Sequence, residues 1–316
     1  RGLQFQESLV TVKNNDIYGN KSALRARDSE VVFTGNRVYG NYLGPYLFRM
    51  TGDVVRNDVL GNPLDGLRLR EGALRVENNY LSGNKYGLAV AYSTFGNFSK
   101  NVMTDNIESG MALKGTERID VSGNFVQGNG GNGISLLSSK ALIRGNHVSA
   151  NHERGIGINS FTGVITENNI VGNKLYAIGL DSGEDVSSPG NWYGNADLEA
   201  AIYDQHDDPA RGLLDPDPVR DEPVVFTWPL TEVRDDTTWQ GVFVVPRRLD
   251  VVVGSTLRVS PGSHLKFGRK SSLWAFGDFE ALGTPDNRIR FSADVKTDEK
   301  SYWDQLTTER ATARFA

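Results

Sequence analysis

Asn15-Asp16-Ile17-Tyr18-Gly19-Asn20, Asn36-Arg37-Val38-Tyr39-Gly40-Asn41 and Asn57-Asp58-Val59-Leu60-Gly61-Asn62 are three copies of one six-residue phrase. The phrase returns from Asn79, Asn101, Asn124, Asn146 and Asn168, and a shortened copy runs Asn191-Trp192-Tyr193-Gly194-Asn195. Successive full copies start 21 to 23 residues apart. Self-similarity at such a period marks a repeat architecture.

Each repeat carries three short apolar segments. The first lies inside the phrase, at residues such as Val38, Val59 and Leu81. The second alternates in period two, as in Gly66-Leu67-Arg68-Leu69 and Gly133-Ile134-Ser135-Leu136. The third closes the repeat, as in Val31-Val32-Phe33 or Leu74 and Val76. Period-two alternation over a few residues reads as strand, and Gly and Asn at fixed places read as corners. Three such strands are too short for a sandwich, and no two-residue hairpin signal joins them. Winding them into a coil solves the problem. Every strand then pairs with its equivalent one turn away at ~4.8 Å, and equivalent Asn amides stack into a ladder. The expected fold is all-β: a single-stranded parallel β-helix with three strands per coil over residues 1–195.

The Asn/Gly-cornered phrases resemble those of right-handed parallel β-helix proteins with pectin-lyase-like or NosD-like coils, whose repeats are of the carbohydrate-binding and sugar-hydrolase type. The resemblance covers residues 1 to about 195. It implies the fold. Lyases, hydrolases, epimerases, tailspikes, adhesins and inert scaffolds all share that fold, so function must be argued from a site. NosD-like relatives are linked to copper-enzyme maturation. With no Cys and three Met, no copper site is expected here, nor any other cofactor or metal.

Alternation sorts the outward residues into columns. One column is expected to carry Arg25, Leu47 and Arg68, and its neighbour Arg27, Arg49 and Arg70. Such an arginine stripe suits an acidic polysaccharide, because guanidinium groups match carboxylates bidentately. Residues 1–130 hold 15 Lys and Arg against 13 Asp and Glu, so the field is not strongly basic and nucleic acid is not the expected partner. A third column carries Asp16, Arg37 and Asp58. It reads as an ion ladder or as the carboxylates and arginine of a lyase site.

Residues 181–240 hold 15 acidic and three basic residues. An acidic, Pro-rich cap and linker is expected at 196–223, with a short helix from Ala196 to Tyr203 and with Trp192, Tyr193, Ile202 and Tyr203 plugging the core. The run Asp204-Gln205-His206-Asp207 resembles the Asp-Pro-His-Asp motif of β-helix alginate C5-epimerases, with Gln205 in place of Pro. Asp204 and His206 are thus a second pair of candidate catalytic residues. His147 and His152 read as surface turn residues. Residues 224–316 return to strands and resemble the opening coils of another β-helix. Gly2-Leu3-Gln4-Phe5 matches a mid-coil strand, so the solenoid is expected to continue beyond both ends. The 316 residues carry a net charge of −5 and no cysteine, which fits an exported protein without disulfides. No apolar run is long enough to span a membrane. The expected function is an extracytoplasmic scaffold or adhesion module that contacts acidic polysaccharide. The alternatives are a lyase or epimerase, and a structural subunit that meets protein partners in a surface assembly.

Overall fold

The computed structural model describes residues 2–194, 196–295, 302–308 and 313–315. Asn195, which ends the ninth phrase, lies outside them. The chain divides into two compact units, Arg1–Glu222 and Pro223–Ala316.

The first unit is a right-handed parallel β-helix. Strand Leu24–Arg27 pairs in parallel with Leu3–Gln6 before it and Tyr46–Phe48 after it, residue over residue. Strands Glu30–Thr34 and Arg37–Tyr39 stack in the same way on their own equivalents. Inward side chains such as Leu24, Leu47, Leu67, Leu88, Met111, Ile134, Ile156 and Ile178 are sealed in one apolar core.

The asparagines explain why the coils hold register. Asn57 Oδ1 accepts the backbone N–H of Asn36 at 2.9 Å and its Nδ2 at 3.1 Å. Its own Nδ2 donates to the Phe33 carbonyl at 2.9 Å. The pattern repeats from Asn15 to Asn191 and, in a second ladder, from Asn20 to Asn173. The residue before each ladder Asn adopts positive φ, for example Gly35 (66°) and Arg56 (56°) in the first ladder and Gly40 (57°) and Asp105 (51°) in the second. That geometry favours Gly, which is why the phrase so often ends Gly-Asn. A third positive-φ corner follows the first strand of each coil, at Glu7, Asp28, Arg49, Glu71 and Tyr92.

Five expectations on this unit are corrected. Leu47 points inward, paired with Ala26 and Leu69, and Tyr46 holds its place in the outer column. Arg49 leaves the strand for the positive-φ corner, and Phe48 takes the place between Arg27 and Arg70. Pro45 stands between Leu24 and Leu67 and, with no N–H to give the ladder, leaves this strand one residue shorter without shifting its register. The helix is only Leu198–Ala201, and Ile202–Tyr203 returns to strand. Tyr193 and Ile202 join the apolar core; Trp192 is buried too, with its backbone bridged to Asn169, but stands outside that cluster, and Tyr203 is half-buried. His147 is no turn residue: it lies in strand His147–Ser149, fully buried, stacked on Phe125 at 5.2 Å.

The second unit is also all parallel. Its strands form three four-stranded stacks, built on Phe226↔Phe243↔Leu265↔Phe291, Val233↔Val251↔Ala275↔Thr308 and Trp239↔Val259↔Ala281. The apolar run from Trp239 to Val245 is split by a corner at Gly241, whose φ is 119°. Trp239 and Phe243 stack face to face at 4.5 Å in its core.

Candidate functional site

The outer face of the strands around Leu24–Arg27 carries two adjacent columns with one composition. In chain order the first reads Gln4, Arg25, Tyr46, Arg68, Ala89 and the second Gln6, Arg27, Phe48, Arg70, Ala91. An Arg pair, an aromatic pair and a second Arg pair thus occupy three consecutive coils. Stacking like charges one strand apart is unfavourable. The rings separate the cations and attract them. Arg25 lies 5.5 Å and Arg68 6.0 Å from the Tyr46 ring centre, and Arg70 lies 5.8 Å from that of Phe48.

The five arginines of the expected stripe are not equivalent. Arg49, at the corner, pairs with Asp28 at 2.6 Å and lays its guanidinium over Phe48 at 4.5 Å. The hydrogen bond from Arg49 holds the Asp28 carboxyl below the usual range. Arg68 is pinned through Nε by the buried Asp65, and Arg70 through Nε by Glu71 at 3.0 Å. Their terminal NH2 groups make no hydrogen bond or ion pair among the described residues. Arg25 and Arg27 make no ion pair among the described residues and line a shallow depression of about 390 Å³ with Gln4, Gln6, Tyr46 and Phe48. A smaller, apolar hollow of about 170 Å³ adjoins it through Gln4 and Arg25, walled by Leu43, Tyr42 and Leu64. Tyr46 and Phe48 were missed by the sequence reading. The only sequence signal was weak: the offset is five residues from Asn20 to Arg25 and from Asn41 to Tyr46, but six from Asn62 to Arg68 in the same column.

The other candidates lie elsewhere. Asp16, Arg37 and Asp58 share an outer column on a different side of the coil. Arg37 does not pair with Asp16 but covers the Tyr39 ring at 4.8 Å, and Tyr39 stacks on Tyr18 at 5.1 Å. Asp204 and His206 belong to the closing segment. Asp204 is buried, and its carboxylate accepts the N–H of His206 (2.9 Å), the N–H of Leu214 (3.0 Å) and a contact from His206 Nδ1 (2.9 Å). Burial pushes this carboxyl up, but the backbone bonds from His206 and Leu214 outweigh it and hold it below the usual range. The pair thus closes a loop and, with Glu199, Asp207, Leu198 and Ile202, lines a depression of about 410 Å³. The structure does not bring Asp204 and His206 together with Asp16, Arg37 and Asp58.

Residues 44–202, just over half of the chain, match the family described as "Periplasmic copper-binding protein (NosD)". No curated protein matches the chain. Among solved structures it is similar to the Dettilon tailspike protein (gp208), with 15% identity, a TM-score of 0.42, and coverage of 93% of this chain and 62% of the tailspike. The chain thus spans less than two thirds of that tailspike. It is also similar to an alginate lyase from Paenibacillus sp. str. FPU-7, with 12% identity, a TM-score of 0.38, and coverage of 94% and 99%. Copper sites draw on thiolate, thioether or imidazole ligands. Here there is no Cys, and Met50, Met103 and Met111 are all sealed in the core. No group of three or more His, Cys, Asp or Glu that could hold a metal occurs among the described residues. These residues do not fit a copper site. What the match covers is the coils themselves, and over more than half its length the chain belongs to the NosD family.

Proposed function

We propose that the protein is an extracytoplasmic β-helix scaffold that binds acidic polysaccharide along the Arg–aromatic face of its first unit. One observation carries this reading: Arg25 and Arg27 stand side by side on one strand, with no ion pair among the described residues, on the rim of a depression. A second Arg pair with free NH2 groups lies two coils further on. An unpaired guanidinium offers a planar fork of donors to a carboxylate, and the coil spacing presents these forks along a line. The periplasmic description of the family supports the location, and no helix among the described residues is long and apolar enough to cross a membrane.

The test is titration with a polyuronate against a neutral glycan of the same length. The polyuronate should bind, binding should weaken with salt as exposed charges are screened, and Arg25→Ala with Arg27→Ala should abolish it. Equal binding of both glycans, or an unaffected double variant, would overturn the proposal. Release of unsaturated sugar during the titration would move the assignment to a lyase.

A further inference from the structure

The Arg face has a period of its own. Arg25 and Arg68 stand in register with Tyr46 between them, and Arg27 and Arg70 with Phe48 between them. Charged rows therefore recur every second coil, ~9.6 Å apart at ~4.8 Å per strand. The intervening row offers a carboxylate one side-chain donor, the Tyr46 hydroxyl; Phe48 offers none, and the Arg49 guanidinium over its ring is already paired through two nitrogens with Asp28. The rows on either side, Gln4 with Gln6 and Ala89 with Ala91, are uncharged. A polyanion with a charge on every sugar would place each second carboxylate against aromatic carbon, where it is desolvated and unpaired.

An extended glycan advances along its axis by close to one strand spacing per sugar. Laid across the coils, it meets rows in the order amide, guanidinium, aromatic, guanidinium, methyl. We infer that this face selects a polysaccharide in which acidic and neutral sugars alternate, an inference that rests on the polysaccharide-binding reading above. The acidic sugars sit on the two Arg rows. The neutral sugar between them lies over Tyr46, with a hydroxyl in reach of the Tyr46 OH, and beside the Phe48 ring that the Asp28-paired Arg49 covers. Arg68 and Arg70 remain competent because their ion pairs use Nε alone, leaving the other donors of the fork free.

The test is calorimetry on the whole chain with two size-matched probes. One alternates glucuronate with N-acetylglucosamine, and the other is an oligogalacturonate with a carboxylate on every sugar. The alternating probe should bind about tenfold more tightly, the scale of one unpaired charged group. Replacing the uncharged row, Tyr46→Arg with Phe48→Arg, should raise affinity for oligogalacturonate and erase or reverse the preference. Circular dichroism confirms that the variant retains its strands. Equal affinities in the unaltered protein, or a preference for oligogalacturonate, would overturn the alternation while leaving acidic-glycan binding intact. No binding of either probe would overturn both. An oligothymidylate that binds as tightly as the alternating glycan would also overturn the inference, because bases stack on rings flanked by arginine.

Discussion

Replacing Asn101 by alanine should be among the most costly single changes to the first unit. Asn101 is fully buried at the middle of the first ladder. Its Oδ1 accepts the Asn79 backbone N–H at 3.0 Å and Asn79 Nδ2 at 2.9 Å, and its Nδ2 donates to the Val76 carbonyl at 2.9 Å. Alanine strands one buried donor, the Asn79 N–H, and one buried acceptor, the Val76 carbonyl, while Asn79 Nδ2 keeps its bonds to the Val54 and Glu77 carbonyls. At about 1–3 kcal/mol for each unsatisfied group, with part of the loss recovered by relaxation, the expected cost is roughly 2–5 kcal/mol. Asn20 supplies the internal control. It begins the second ladder half-exposed and donates to the Tyr18 carbonyl at 2.8 Å and to Asn41 Oδ1 at 3.1 Å. Its own Oδ1 receives no hydrogen bond among the described residues. Asn20→Ala should therefore cost only about 1 kcal/mol. Urea unfolding followed by circular dichroism reads the difference at unchanged slope, and hydrogen exchange at the Asn79 amide locates it. If the two variants lie within about 1 kcal/mol of each other, the ladder is decoration and the register is held by the core alone.

Three further outcomes are expected. Burial lowers the His147 pKa from 6.5 to about 3, so above about pH 6.5 the residue is neutral folded or unfolded. Between these values the unfolded chain takes up a proton that the native state refuses, and stability falls by about 1.4 kcal/mol per pH unit as pH drops. His147→Phe, which extends the stack on Phe125, should remove that slope when urea midpoints at about pH 7 and about pH 5 are compared. Gly133→Ala should lower the midpoint by about 2 kcal/mol or more, because its Cβ would lie 2.5 Å from Val148 Cγ1 and 2.7 Å from both Asn151 Nδ2 and the Gly155 carbonyl. Arg49→Ala should leave polyuronate binding nearly unchanged and Arg27→Ala should reduce it about tenfold, since Arg49 is already held by Asp28; equal losses in a binding assay would refute that ranking.

The coil, the ladders and most inward columns were legible because the Asn phrase recurs and fixes the phase of everything between its copies. The third coil was not. There Tyr46, Leu47 and Phe48 are all apolar or aromatic, so composition could not say which of them turn inward, and a slip of one residue exchanges the faces. The choice of partner by each arginine was hidden for a related reason. Asp28, Arg49 and Glu71 are aligned by the positive-φ corner, and a corner torsion leaves no mark in hydropathy. His147 was read as a surface turn residue, and only the stacked strands show it in register with Phe125 and sealed on that ring. The candidate pairs Asp16/Asp58 and Asp204/His206 were visible as residue types, while the distance between their faces needed the coordinates.

The paired amide ladders make each turn of the solenoid answerable only to the turns directly before and after it. Lengthening such a scaffold by one whole rung requires no redesign elsewhere, whereas adding a single residue inside a strand would throw the side chains from there to the next corner onto the opposite wall. The protein is in this sense a graduated rule. Its chemistry can be moved along the axis in whole divisions, and the distance between two arginine rows is set by counting turns rather than by shaping a pocket.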